Sequence, residues 1–116
     1  MVKKEIKVIA QAMLDKKAEG VLALDLRPVG TAISDFFVVC NAPSTTQVCA
    51  IADAVEEEML EKMKMKPVRK QGKENGIWVI LDYGGNAVVH VFQTQYREFY
   101  RLEDLWADAK KTVFNE

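Results

Sequence analysis

The segments Ile77-Trp78-Val79-Ile80-Leu81-Asp82-Tyr83 and Ala87-Val88-Val89-His90-Val91-Phe92 are apolar at nearly every position, and only Gly84-Gly85-Asn86 separates them. Two such runs, rich in β-branched and aromatic residues and joined by a Gly-rich turn, predict an antiparallel hairpin. A strand that faces water alternates polar and apolar residues; these do not, so this part of a sheet must be covered on both faces. A chain of 116 residues holds one such core, and residues 1–116 are read as a single domain. Helices therefore have to supply the covering layers.

The remaining pattern provides them. Residues 2–19 predict an amphipathic helix, with Ile6, Ile9, Ala10, Met13 and Leu14 on one stripe and Gly20 at its end. Val21–Leu26 reads as a buried strand stopped by Arg27-Pro28-Val29-Gly30, and Asp35–Cys40 as a second strand. Asn41-Ala42-Pro43 breaks it, and Ser44 with Gln47 forms a capping-box pattern that starts a long helix. Val48, Ile51, Ala52, Val55, Met59 and Met63 carry its apolar stripe to about residue 64. Pro67–Gln71, with its proline and cations, predicts an edge strand. Lys73–Gly76 is a turn, and Tyr96 to Asp108 predicts short helical turns. The order defines an α/β (α+β) fold with a small, mixed, five-stranded sheet flanked by helices.

Composition removes several classes of function. With 49% hydrophobic residues, six Gly and three Pro, the chain is neither collagen-like nor disordered. No apolar run approaches the ~18 residues that span a bilayer. The opening Met1-Val2-Lys3-Lys4-Glu5 has no signal-peptide core, so a cytoplasmic location without membrane attachment is expected. Cys40 and Cys49 are too few for a disulfide framework or a four-cysteine metal site. The net charge of −1 lacks the basic excess with which most nucleic-acid binders neutralise phosphates, so no direct sequence-specific nucleic-acid binding is expected. Charge is nevertheless segregated. Asp53, Glu56, Glu57, Glu58 and Glu61 precede Lys62, Lys64, Lys66, Arg69, Lys70 and Lys73, as either a solvated helix face and loop or a docking surface with two poles.

Catalytic patterns are sparse. His90 is the single histidine and lies in a β-branched run, where a hydrogen-bonded structural role is the usual one. No serine sits in a nucleophile elbow, and neither cysteine is near His90 in sequence. Asp25, Asp35 and Asp82 lie in or beside strands, where aspartates can gather around Mg²⁺ for phosphoryl transfer or simply bond loop amides. Gly84 and Gly85 belong to a hairpin and form no phosphate-binding loop. Neither a cofactor nor a metal is expected. The aromatic residues are more telling. Trp78, Tyr83, Phe92, Tyr96, Phe99, Tyr100 and Trp106 crowd the C-terminal part, interleaved with Arg97, Glu98, Arg101, Glu103 and Asp104. Such a set serves a core or an interface equally well.

Three stretches carry a resemblance: Trp78-Val79-Ile80-Leu81-Asp82-Tyr83-Gly84, Val89-His90-Val91-Phe92, and Arg97-Glu98-Phe99-Tyr100-Arg101-Leu102-Glu103-Asp104-Leu105-Trp106. With Leu24-Asp25-Leu26, Ser34-Asp35-Phe36-Phe37-Val38 and Gln47-Val48-Cys49-Ala50-Ile51-Ala52-Asp53 upstream, the chain resembles the ribosomal silencing factor, or Iojap-like, family over about residues 5–108. The resemblance implies a non-enzymatic translational repressor. It would bind ribosomal protein fourteen of the large subunit and block joining of the small subunit. It also implies a role for organellar relatives in large-subunit assembly, homodimers in several members, and a sheet like that of nucleotidyltransferases without their catalytic residues. On this reading the partner-binding residues are Trp78, Asp82, Tyr83, His90, Arg97, Tyr100, Leu105 and Trp106. The alternative is a nucleotide-binding or nucleotidyl-transferring enzyme using Asp25, Asp35 and Asp82. This chain departs from the family pattern at Asn41-Ala42-Pro43-Ser44, at Phe36 in place of a common tyrosine, and in a hairpin turn about one residue longer.

Overall fold

The computed structural model describes residues 3–29, 34–100 and 109–115, excluding the side chains of Val29, Phe99 and Tyr100. The helices are α1 (Lys4–Asp15), α2 (Thr45–Met63) and α3 (Thr94–Tyr100). The strands are β1 (Glu19–Asp25), β2 (Phe36–Ala42), β3 (Arg69–Gln71), β4 (Trp78–Asp82), β5 (Val88–Gln93) and β6 (Lys110–Val113). They form one sheet in the order β3-β4-β5-β2-β1-β6. Among the described strands only the central pair, β2 and β5, is parallel; the crossover it requires passes through α2, β3 and β4.

Both long helices form where their apolar stripes demand. All five stripe residues of α1 are buried, and in α2 so are Val48, Ile51, Ala52, Val55 and Met59. Ser44 caps α2 as its sequence predicts, its hydroxyl accepting a hydrogen bond from the Gln47 amide at 3.1 Å. The end of α1 differs from expectation. The helix stops at Asp15, where the amides of Lys17 and Ala18 bond back to the carbonyls of Leu14 and Met13. Lys17 supplies the left-handed residue, at φ 65°, that Gly20 was expected to supply. Gly20 lies instead in β1, at an irregularity of register against β2.

Among the described residues the sheet has six strands, not the expected five. The sixth, β6, pairs with β1 along the far edge. Its sequence, Lys-Lys-Thr-Val, is largely exposed and carries no apolar alternation, so pairing with β1 rather than an intrinsic pattern defines it.

Two apolar layers result. One joins α1 and α2 to Val21, Ala23, Phe36, Val38, Cys40, Val79, Leu81, Tyr83, Val89 and Val91. The other lies on the opposite sheet face and contains Leu22, Leu24, Leu26, Phe37, Val39, Val88 and Phe92, with Trp78, Ile80 and Tyr96 packed partly buried against it.

Candidate docking face on the second side of the sheet

Strand periodicity sorts the expected site residues. On β4, Trp78, Ile80 and Asp82 share one face, while Val79, Leu81 and Tyr83 share the other. Register extends the first set sideways: Trp78 is opposite Phe92, Ile80 opposite His90 and Asp82 opposite Val88. Phe37 joins from β2 beside Val88, and Arg69 and Gln71 join from β3 opposite Asp82 and Ile80. The structure therefore brings Trp78, Asp82 and His90 onto one face. Among the described residues this face is only partly covered toward β3, where Trp78 and Ile80 are half-buried.

An aromatic cluster organises it. The Trp78 and Phe92 rings stack with centroids 4.9 Å apart, and Phe37 lies 4.7 Å from His90 at a tilt. Such pairs add roughly 0.5–1.5 kcal/mol each beyond the area they bury. The Trp78 indole Nε1–H donates to His90 Nδ1 at 3.0 Å. An indole nitrogen can only donate, so His90 Nδ1 is bare and the proton of the neutral ring sits on Nε2. His90 is 5% exposed, and its Nε2 is buried without a hydrogen-bond partner among the described residues. Burial pushes its imidazole down to about 4, which keeps the ring neutral near pH 7. Above it runs a shallow groove of about 240 Å³, lined by Phe37, Arg69, Gln71, Ile80, Asp82, Val88 and His90.

Tyr83 is separated from this face. It is 4% exposed and belongs to the layer under α2, not to the open side. Its hydroxyl is buried without a partner among the described residues, and burial pushes its ionisation upward. Arg97, expected as a charged contact, is bound within the chain. Its Nη1 donates to the Gly20 carbonyl at 2.5 Å and to Asn41 Oδ1 at 2.8 Å. Asn41 in turn donates from Nδ2 to Thr94 Oγ1 and Glu19 Oε1. This polar hub ties α3 to the ends of β1 and β2. Leu105 and Trp106 lie outside the described residues, as does the side chain of Tyr100.

Each of the three strand-end aspartates has a local structural task. Asp25 accepts three hydrogen bonds from Arg27, whose side chain holds the carboxyl below its ordinary range. Asp35 pairs with Lys3 at 2.8 Å, and Asp82 Oδ1 accepts the Gly84 amide at 2.7 Å, pinning the hairpin turn. Among the described residues no three His, Cys, Asp or Glu side chains form a metal-ligand group. Cys40 and Cys49 are free thiols, and burial pushes Cys40 up to about 12. No described helix is long and apolar enough to cross a membrane.

Phe37, Arg69, Gln71, Ile80 and Val88 are the groove residues that the sequence reading missed. The signal that reaches them is alternation: every second residue of each strand, aligned across the sheet from Trp78, Asp82 and His90.

Fold and face define a class: a mixed-sheet α/β protein with two helices packed on one side of the sheet and a partly exposed aromatic cluster on the other. The family model described as "Ribosomal silencing factor during starvation" matches residues 1–116, and the chain belongs to that family. Ribosomal silencing factor RsfS of Bacillus subtilis is 38% identical over 104 residues, covering 90% of this chain and 86% of the relative. The chloroplastic protein Iojap of Arabidopsis thaliana is 32% identical over 101 residues, 87% of this chain but 41% of that longer protein. A crystal structure of a Chromobacterium violaceum protein superposes with TM-score 0.83 at 31% identity, covering 100% of this chain and 95% of the other. One from Bacillus halodurans gives 0.76 at 35% identity, covering 96% of each chain.

Proposed function

We propose that the chain silences ribosomes by occlusion: it docks on ribosomal protein fourteen of the large subunit and obstructs approach of the small one. Family membership supports the ribosome as the target. The observation that carries the docking mode is the half-buried Trp78, stacked on Phe92 and hydrogen-bonded to His90 on the second face of the sheet. A large ring already held in place loses little conformational freedom on binding, which is what makes tryptophan an effective interface anchor. Asp82 shares the face. Tyr100, Leu105 and Trp106 belong to the same proposal as further contacts, while Tyr83 and Arg97 act from within the chain.

Occlusion needs no turnover, only a body at an intersubunit surface. A nearly neutral chain suits recognition of a protein face better than of phosphates. The test is sedimentation with purified large and small subunits. Wild-type chain should travel with large subunits alone, and Trp78→Ala should lose at least ~2 kcal/mol of that binding while staying folded. Cosedimentation with small subunits, or a folded Trp78→Ala variant that binds fully, contradicts the reading.

A further inference from the structure

His90 is expected to touch a partner, yet it is 5% exposed and offers almost nothing for a partner to touch. Its neighbours show what it does instead. The imidazole meets the ring of Phe37 at a centroid distance of 4.7 Å and that of Phe92 at 6.3 Å. Both rings are buried, so the imidazole is fixed from beneath the face. Trp78 sits diagonally across the β4–β5 pair, since it is opposite Phe92 while His90 is opposite Ile80. A diagonal pair is within reach of two large rings, and here His90 Nδ1 accepts the indole N–H at 3.0 Å.

The stack on Phe92 and this bond act on the indole differently. Stacking sets the plane of the ring but tolerates sliding and flipping within it. A hydrogen bond to a fixed acceptor selects the one orientation that points Nε1 at Nδ1. The indole also has a single polar atom, a donor, and His90 takes it. What the half-buried ring has left for a partner is carbon. We propose that His90 is the positioning residue of the docking face. Through Nδ1 it sets the orientation of Trp78, and it makes the tryptophan an apolar anchor whose receiving pocket on the partner needs no hydrogen-bond acceptor. This proposal rests on the docking reading above. An anchor held in one orientation before contact loses less freedom on binding.

The test separates the acceptor from the packing. His90→Leu keeps an apolar side chain and removes the acceptor. His90→Val, a second variant without the acceptor and suited to a strand, should behave in the same way. His90→Asn gives up the ring contacts but keeps an acceptor, because its Oδ1 stands on the same Cγ that carries Nδ1 in histidine. Thermal unfolding should rank His90→Leu above His90→Asn, which sets an amide against Phe37 and Phe92. Sedimentation with purified large subunits should rank them the other way. His90→Asn should bind within about twofold of wild type, and His90→Leu roughly three- to tenfold more weakly. In NMR spectra of the chain alone, the Trp78 indole proton is identified by its loss in Trp78→Phe. It should exchange with solvent faster in His90→Leu than in wild type or His90→Asn. In a double-mutant cycle, Trp78→Phe should lose about three- to tenfold less binding in the His90→Leu background than in wild type. Binding that follows stability, an indole proton no freer in His90→Leu, or equal losses in the two backgrounds overturns the proposal and leaves the docking reading standing. A wild-type chain that does not travel with large subunits overturns the docking reading and this one with it.

Discussion

Arg97 Nη1 lies 2.8 Å from Asn41 Oδ1, a contact that joins residues 56 positions apart and fixes α3 to the end of β2. Asn41 is 8% exposed, so its amide depends on partners inside the chain. Arg97→Leu should therefore cost about 1–3 kcal/mol, the penalty for stranding a buried polar group. Arg97→Lys should recover only part, because an ammonium on a different stem does not reproduce the fixed planar directions in which Nη1 donates to both Gly20 and Asn41. Urea denaturation measures both. An Arg97→Leu variant of wild-type stability that fails only in ribosome binding would return Arg97 to the docking face.

Tyr83 offers a sharper distinction between core and contact. Tyr83→Ala should lose ~3–5 kcal/mol of stability, as expected for a large side chain under α2. Tyr83→Phe should be neutral or stabilising by up to about 1 kcal/mol, because the hydroxyl it removes is buried without a partner among the described residues. Thermal unfolding of the two variants checks the pair. A Tyr83→Phe variant that stays folded but binds large subunits poorly would contradict the core assignment.

His90 sets a pH dependence whose sign follows from its burial. In the folded chain its imidazole titrates at about 4 instead of the ordinary 6.5, so between these values the unfolded chain holds a proton that the native chain does not. Stability from this group is complete above 6.5 and declines as pH falls toward 4, by an amount on the order of 3 kcal/mol. Protonation also places a hydrogen on Nδ1, facing the Trp78 N–H. Arg69 and Asp82, of opposite charge, line the same groove. The difference in unfolding free energy between wild type and His90→Gln should shrink across that window. A difference that does not vary with pH would show that His90 is not held neutral by the fold.

The helices and inner strands were legible because their signals are local. Ser44 and Gln47 mark the start of α2, and apolar spacing marks its buried side. What stayed hidden depends on distant partners. β6 is a strand because β1 offers it hydrogen bonds, not because Lys-Lys-Thr-Val favours pairing. Lys17 replaced Gly20 at the helix end because the amides around it could close onto Met13 and Leu14. The eight residues expected to bind a partner carry no assignment to a face in the sequence reading, whereas strict alternation places Trp78 and Asp82 on one side of β4 and sets Tyr83 on the other. Arg69 reads as part of a charged run and of an edge strand, and its place beside the groove depends on which strand β3 pairs with, here β4. The role of Arg97 could not be read locally, because its partners, Gly20 and Asn41, come from β1 and β2.

Salt dependence separates a protein target from RNA. Three cations of the basic stretch are already paired: Lys62 with Glu58, Lys70 with Glu56, and Lys73 with Asp53 and Glu56. Each phosphate neutralised on duplex-like nucleic acid adds roughly 0.9 to the log–log salt slope, so large-subunit binding should show a slope of no more than about 1–2 in magnitude. Replacing Lys62, Lys64 and Lys66 together with Gln should change affinity little. A steep slope that collapses in this variant would place the contact on ribosomal RNA.

The central claim is inhibition by occupancy, and light scattering during subunit joining tests it most directly. With purified subunits, the chain should suppress association in proportion to the large subunits it occupies and saturate when protomers equal large subunits. The effect should be unchanged by added nucleotide or longer incubation, and excess small subunits should relieve it by competing for the surface. The Trp78→Ala variant should shift the inhibition curve to higher concentration. Silencing of all subunits by a substoichiometric amount, progressing with time, would require turnover and contradict occlusion.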